Sequence, residues 1–375
     1  MPPTETLDSL TRAVLEREEM VRLLAGRHGE SGPDAARHVH AYLDELRTTQ
    51  RYKLYRSLQH PLYPIFRKIQ RIVEHPEIPQ AAVKNNRVIY VSNHKSHTDY
   101  LVELLVIDDL GIRPPLIAAG INLFGGPLGL INRHVTGAIP IRRNTKDPIY
   151  LITLKAYVAE VLKRHDLFFY FEGGRSYSGE LKSPKTGLLH AAMQAEVPDC
   201  VIVPVAIAYD IVLEDRALAR QGGTKRKQRP FAAELAEMLT LAVGFKTRAF
   251  VTFGEPIPMT GYSHESRRDV LDLAHVTRKA IGKLYKVLPT ALVAASMRPS
   301  ADRKELVLRV DELLGRLRET GANLSVRDAR HAVDMGVAAL EARDVIHLEG
   351  SRVRVRDRSV LRYYARTIQH LASSD

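Results

Sequence analysis

The stretch VSNHKSHTDYLVELLV, residues 91–106, sets His94, Lys95, His97 and Asp99 between two apolar runs. A carboxylate on one imidazole nitrogen fixes the tautomer and leaves the other nitrogen as a base. His94 and Asp99 are five apart, and on one continuous helix they would diverge by about 140° at 3.6 residues per turn. At a strand-to-helix turn they can face each other. RVIYVS (87–92) reads as a strand. Ser96, then Asp99, then an apolar run is a capping-box-like start with Asp in place of the usual Glu. A helix is therefore expected from Ser96 or soon after, and its positive end disfavours a resting imidazolium and favours an anionic ligand. Taken alone, the group admits a base with its partner, a capped turn, or a metal site. For a metal, His94, His97 and Asp99 offer three ligands, without HExxH spacing and with no fourth in view.

The elements that must position these residues have an alternating texture. GAIPIRR (137–143), LFFYFE (167–172), VIVPVAIAY (201–209) and AFVTFG (249–254) join RVIYVS as strands, several of them apolar almost throughout, as buried central strands are. YLVELLVIDDLG, LITLKAYVAEVLKRH and GLLHAAMQAEV between them read as helices. The fold class expected is α/β, a mixed sheet flanked by helices. Residues 1–80 read as an N-terminal helical region and 81–297 as the catalytic domain. Residues 298–375, two helices and the hairpin VIHLEGSRVRVRD, read as a small winged-helix-like α+β appendage.

The chain has 375 residues, net charge +12, 45% hydrophobic and 26% charged residues. That supports a large core and favours anionic partners without choosing among them. The single cysteine, Cys200, excludes an intrachain disulfide and a cysteine-rich zinc site, and its apolar run predicts a buried, inert thiol. The N-terminus lacks the pattern of a signal peptide, which fits a cytosolic chain or one on the cytosolic side of a membrane. PPLIAAGINLFGGPLGLIN (114–132) is long enough to span a bilayer, but its four Gly and three Pro predict a buried loop or a segment dipping into a membrane surface. Arg47, Arg51, Lys53, Arg56, Arg67, Lys68 and Arg71 interleave with aromatic and aliphatic residues. That suits either a membrane surface or a solvated helical face. The loop RQGGTKRKQRP (220–230) carries five Lys or Arg and is either solvated or anion-binding.

NHKSHTDYL resembles block I, the HxxxxD motif, of the glycerolipid acyltransferases, and more narrowly the bacterial branch of glycerol-3-phosphate and dihydroxyacetone-phosphate acyltransferases. AAGINLFGGPLGLINRHVTGAIPIRRN is similar to block II, FYFEGGRSYSGELKSPKTGLL to block III with its EGxRS motif, and VIVPVAIAYD to block IV. The likeness covers about 85–297 well and the tail loosely. Four blocks in order are a specific signal. The resemblance implies that His94 is the general base and Asp99 its partner. It implies that Arg143, Glu172, Gly173, Arg175 and Ser176 hold a phosphorylated acceptor and that Pro204 shapes the acyl-donor side. Chemically, an arginine at a strand end offers a fork of donors to phosphate, and GGRS lets backbone approach an anion. Glu172 cannot bind phosphate and is read as orienting Arg175 or a hydroxyl. For Arg142 and Arg143 the other reading is a surface ion pair.

The implied reaction moves a fatty acyl group from acyl-CoA or acyl carrier protein to the sn-1 hydroxyl of glycerol 3-phosphate. Dihydroxyacetone phosphate or a lysophospholipid such as lysophosphatidate is the other acceptor. An adaptor for membrane or nucleic acid on an inactive core is the non-enzyme reading. No metal, no cofactor and no nucleic-acid partner are expected, and the location expected is peripheral, on the cytoplasmic side of the cell membrane at an anionic surface. Two departures bear on the acceptor: Lys95 stands where the branch usually has Arg, and Tyr177 where a second block III arginine is common. The chain is also much shorter than the large bacterial enzymes of the branch.

Overall fold

A computed structural model describes residues 7–25, 32–51, 54, 57, 69–221 and 247–372. Most of the basic segment 47–71 and of the 220–230 loop lies outside the described residues.

Eight strands form one sheet: β1 (Gln70–Glu74), β2 (Arg87–Ser92), β3 (Leu116–Gly120), β4 (Ala138–Ile141), β5 (Leu167–Tyr170), β6 (Cys200–Tyr209), β7 (Arg248–Phe253) and the short β8 (Ile257–Pro258). Their order is β1-β7-β6-β2-β5-β3-β4, with β8 beside β6. The run from β6 to β4 is parallel, whereas β7 and β8 pair antiparallel with β6 and β1 pairs parallel with β7. The sheet is therefore mixed. Side chains alternate across it. On β2, Val88 and Tyr90 join one buried apolar cluster and Ile89 and Val91 the other. Both faces are covered, which is why the central strands are apolar throughout.

The face of Ile89 and Val91 carries helices α1 (Leu7–Leu15), α2 (Glu18–Leu24) and α3 (Gly32–Leu46), together with α7 (Pro148–Leu162). The latter starts at Asp147, whose Oδ1 accepts from Ile149 N at 2.9 Å and Tyr150 N at 3.2 Å, with Pro148 at its first position. Helix α4 (Glu77–Asn85) packs on the face of Val88 and Tyr90 through Ala82, and α6 (Gly126–His134) lies next to β4. The other face carries α5 (Asp99–Asp109) and most of the C-terminal elements.

Three sequence expectations change. β1 lies inside the stretch read as helical. It is an edge strand, and its charged residues hide the alternation. LIAAG, expected in a loop or membrane-dipping segment, is strand β3, followed after Gly120 by a 3₁₀ turn (Ile121–Phe124) and then α6. The C-terminal residues are not set apart from the core. Leu306, Leu313, Leu340, Val353, Tyr363 and Tyr364 share one buried cluster with Val88, Tyr90 and Val203 of the sheet. Among the described residues no helix is long and apolar enough to cross a membrane.

Candidate active site

The site lies at the carboxyl ends of β2, β5 and β3, where open α/β sheets hold ligands. β2 ends at Ser92, and α5 begins at Asp99, later than Ser96, with Thr98 before it and no side-chain cap. Instead the Asp99 carboxylate reaches back over the turn. Its Oδ2 accepts from Lys95 N at 2.6 Å, Ser96 N at 2.9 Å and His94 Nδ1 at 2.9 Å, and Tyr209 Oη donates to Oδ1 at 2.8 Å. One carboxylate therefore folds the turn and aims the imidazole. His94 keeps 7% exposure, and the ring lies on that of Tyr170 with centroids 4.0 Å apart and planes 10° from parallel. With Nδ1 bound to Asp99, Nε2 is the nitrogen left to take a proton.

Burial, then the charges of Arg175 and Arg143, hold the His94 imidazole well below its ordinary value, so it rests neutral at pH 7. Burial pushes the Asp99 carboxyl up, to about 6, against the hydrogen bonds from Ser96, Lys95 and Tyr209 that favour its charge.

An open cleft with ≈ 800 Å³ of space, part of it continuous with solvent, runs from His94 across the β3 end. His94, Arg143, Tyr170, Arg175 and Tyr177 line it, together with Gly120 and Asn122. A Cβ on Gly120 would meet the Arg143 Cζ at 2.9 Å, so the glycine is what lets this guanidinium lie over the strand end. Among the described residues no carboxylate pairs with Arg143 and no hydrogen bond holds it. Arg142, next along the chain, turns the other way. Its Nε donates to Glu45 at 2.7 Å, its Nη2 to the same carboxylate at 2.5 Å, and it stacks near Tyr42 and Tyr150. The ion-pair reading therefore describes Arg142 and not Arg143. Arg175 lies 3.7 Å from Glu214 and 5.7 Å from the centroid of the Tyr177 ring. Lys182 Nζ is 5.3 Å from the same centroid. Where the second block III arginine is common, this chain thus has a ring flanked by two cations.

The other residues expected at the site do not line the cleft. Glu172 is buried and does not orient Arg175; its Oε1 accepts from His94 N at 3.1 Å and its Oε2 from Lys182 N at 3.2 Å. Ser176 N donates to the His94 carbonyl at 2.9 Å and its hydroxyl to Glu180 O at 2.6 Å. Gly173 sits at φ 65°, a left-handed position glycine favours. These residues lock the 171–182 loop onto the back of the turn. Pro204 is buried in β6 opposite Val91. Lys95 also leaves the cleft. It is buried, donates to Gly179 O at 2.6 Å and lies 5.2 Å from the Tyr285 ring centroid. The expectation that it bears on the acceptor is therefore corrected, and Tyr177 is the departure that faces the cleft. His97 lines the cleft, and its backbone N donates to Glu214 at 2.7 Å. Among the described residues no cluster of three or more His, Cys, Asp or Glu could hold a metal.

Sequence reasoning missed Tyr170, Glu103, Tyr209 and Glu214. Glu103 alone left a local trace: a carboxyl four residues after Asp99, in the otherwise apolar run YLVELLVI.

Residues 71–208 match the family model described as acyltransferase. That stretch is similar to the acyltransferase family. The chain is 34% identical over 250 residues to a glycerol-3-phosphate acyltransferase of Aeromonas hydrophila, covering 64% of this chain and 31% of that protein. It is 37% identical over 199 residues to a glycerol-3-phosphate acyltransferase of Actinobacillus succinogenes, covering 51% of this chain and 24% of that protein. The chain thus spans 24–31% of the length of these two relatives. Among solved structures, the 1-acyl-sn-glycerophosphate acyltransferase PlsC of Thermotoga maritima aligns with a TM-score of 0.37 at 17% identity, over 74% of this chain and 95% of that one. The matched stretch contains both His94 and Asp99, and the segments around 94 and 172–176 meet at the His94 backbone.

Proposed function

We propose that the protein is an O-acyltransferase that moves a fatty acyl group from a thioester, acyl-CoA or acyl carrier protein, to the sn-1 hydroxyl of glycerol 3-phosphate. The observation that carries this is the His94–Asp99 pair opening onto a cleft across which Arg143 and Arg175 stand. The two relatives named for glycerol-3-phosphate acylation support the choice of acceptor.

The acceptor phosphate lies against Arg143 and Arg175, and its hydroxyl against His94 Nε2. As the hydroxyl oxygen attacks the thioester carbonyl, its proton passes to Nε2 and Asp99 balances the imidazolium. The tetrahedral adduct collapses with cleavage of the C–S bond, and the leaving thiolate takes that proton. The ester and a free thiol are the products, and the base is regenerated. Proton transfer to a positioned base contributes about 10²–10⁴ in rate. Glu172, Gly173 and Ser176 support the loop that carries Arg175, and Pro204 remains a proposal for the donor side.

The location proposed is peripheral, on an anionic membrane at the cytoplasmic side; the exposed side chains Ile121 and Leu130, close in sequence to the cleft residues Asn122 and Asn132, support its apolar contact alone. Flotation with anionic liposomes checks this, and protein left at the bottom of the gradient counts against it. Turnover is tested by thiol release from palmitoyl-CoA and from palmitoyl-acyl carrier protein, each with glycerol 3-phosphate, dihydroxyacetone phosphate and lysophosphatidate in parallel. Glycerol 3-phosphate is expected to be fastest. Preference for another acceptor replaces it, and no release with any of the three overturns the enzyme reading. His94→Ala should reduce release by roughly a hundredfold or more.

A further inference from the structure

Asp99 restrains the His94 imidazole through one hydrogen bond, and a ring held at one nitrogen can still swing about that bond. The second restraint is Tyr170. Ser92 and Tyr170 are register partners on adjacent strands, so their side chains leave the sheet side by side, toward α5. There the Glu103 carboxyl meets both, with Oε1 2.5 Å from Ser92 Oγ and Oε2 2.8 Å from Tyr170 Oη. The phenol is tethered at its oxygen, and its face lies flat under the imidazole.

We propose that Tyr170, held by Glu103 and Ser92, is a positioning residue for His94: its ring fixes the imidazole plane and supports the imidazolium formed in proton transfer. An aromatic face attracts a cation placed over it, and more so where water is excluded. The support therefore grows as His94 becomes charged, which is the condition for acting on rate rather than on binding. The turnover arm of the test rests on the acyl-transfer reading above.

Burial beside Asp99 disfavours a charge on the tether. Glu103 is buried, and Ser92 Oγ and Tyr170 Oη both donate to it, so a proton on Glu103 turns one of these hydroxyls from donor to acceptor. Asp99 lies one helical turn earlier on α5, takes four donors, and is the carboxyl of the two that can stay ionised. Burial and the nearby Asp99 push Glu103 well above the carboxylate range. The titratable groups acting on Glu103 are Asp99, Tyr170 and Tyr209. Those facing His94 are Asp99, Tyr170, Arg175, Arg143, His97 and Lys182. A neutral Glu103 fixes Tyr170 without adding a second negative charge below the base.

The experiment compares Tyr170→Leu, Tyr170→Phe and Glu103→Gln with the wild-type protein, each checked by thermal melting. Tyr170→Leu should lower kcat about tenfold or more with KM for glycerol 3-phosphate within about twofold, since small misplacement of a reacting group is costly in rate. Tyr170→Phe keeps the face, loses the tether, and should cost only about threefold. Equal losses in the two variants, or a loss in KM alone, overturn the proposal. A second arm needs no turnover: the His94 imidazole resonance, assigned with His94→Ala, is titrated by NMR. In Glu103→Gln it should titrate where the wild type does. A shift to lower pH means that Glu103 carried a negative charge and overturns the neutral tether. If wild-type protein turns over no acceptor, the functional reading falls while this titration still decides the tether, and the near-isosteric glutamine keeps that arm available if the leucine variant does not fold.

Discussion

His94 and Lys95 are adjacent in sequence, and the turn sends them to opposite sides. His94 faces a solvent-connected cleft with Arg143 and Arg175 across from it. Lys95 points into the interior, to a backbone carbonyl of the 171–182 loop and the ring of Tyr285. Arg142 and Arg143 repeat the pattern at the end of β4: one is clamped by Glu45, and the other, among the described residues, stands unpaired over the cleft. A run of polar residues at a strand end thus has two jobs. The half that meets the cleft is left under-satisfied, ready for a ligand. The half that turns away is satisfied within the protein and holds the first half still.

This contrast can be broken by experiment. Changes on the cleft side should move kinetics with little change in melting temperature, and changes on the rear side the reverse. The largest kinetic effect expected is for Asp99→Asn, which removes the buried carboxylate that sets the His94 tautomer and also folds the turn; kcat should fall by about 10²–10⁴, and here the melting temperature should fall as well. A loss confined to KM would mean that Asp99 serves only the turn. Next is Arg143→Ala. Removing a bidentate phosphate partner should raise KM for glycerol 3-phosphate by about 10-fold or more. It should also move the acid limb of the kcat/KM profile upward. In the wild type, burial and the two arginines disfavour the imidazolium, so the His94 contribution to that limb should lie below the ordinary histidine value. Taking away one positive charge raises it, and an acid limb that stays in place would separate Arg143 from the base.

On the rear side, Lys95→Met leaves Gly179 O without its donor, a cost of about 1–3 kcal/mol read as a lower melting temperature, with KM for the acceptor retained. The smallest effect is for Arg142→Ala. A half-exposed ion pair contributes about 0.2–1 kcal/mol, and KM should not change. A KM effect there would erase the distinction between the two arginines.

How far the sequence can be read depends on the same divide. Strands buried on both faces, such as RVIYVS and VIVPVAIAY, announce themselves by unbroken apolar character. The edge strand QRIVE and the small-residue strand LIAAG do not, because one is half solvated and the other sits among Gly and Pro. At the site, His94, Asp99, Arg143 and Arg175 can be named from local motifs, and folding brings them together around the turn and cleft. Glu172 and Ser176, which the family resemblance gives to a ligand, are spent on main-chain groups. Tyr209 and Glu214 are invisible in the sequence because their partners lie more than a hundred positions away.

That separation bears on how the protein is made. Asp99 waits 110 residues for Tyr209, its fourth donor. The strand β1 pairs with β7, with Glu74 and Thr252 178 residues apart in sequence. At about 5–20 residues per second on the ribosome, the first gap alone lasts roughly 5–20 s. Through that interval β2 has emerged without β6, one of its two flanking strands, as an apolar edge open to other chains. Substitutions in β6 and β7 should therefore show first in the yield of soluble protein during synthesis, before any change in the finished molecule is measured.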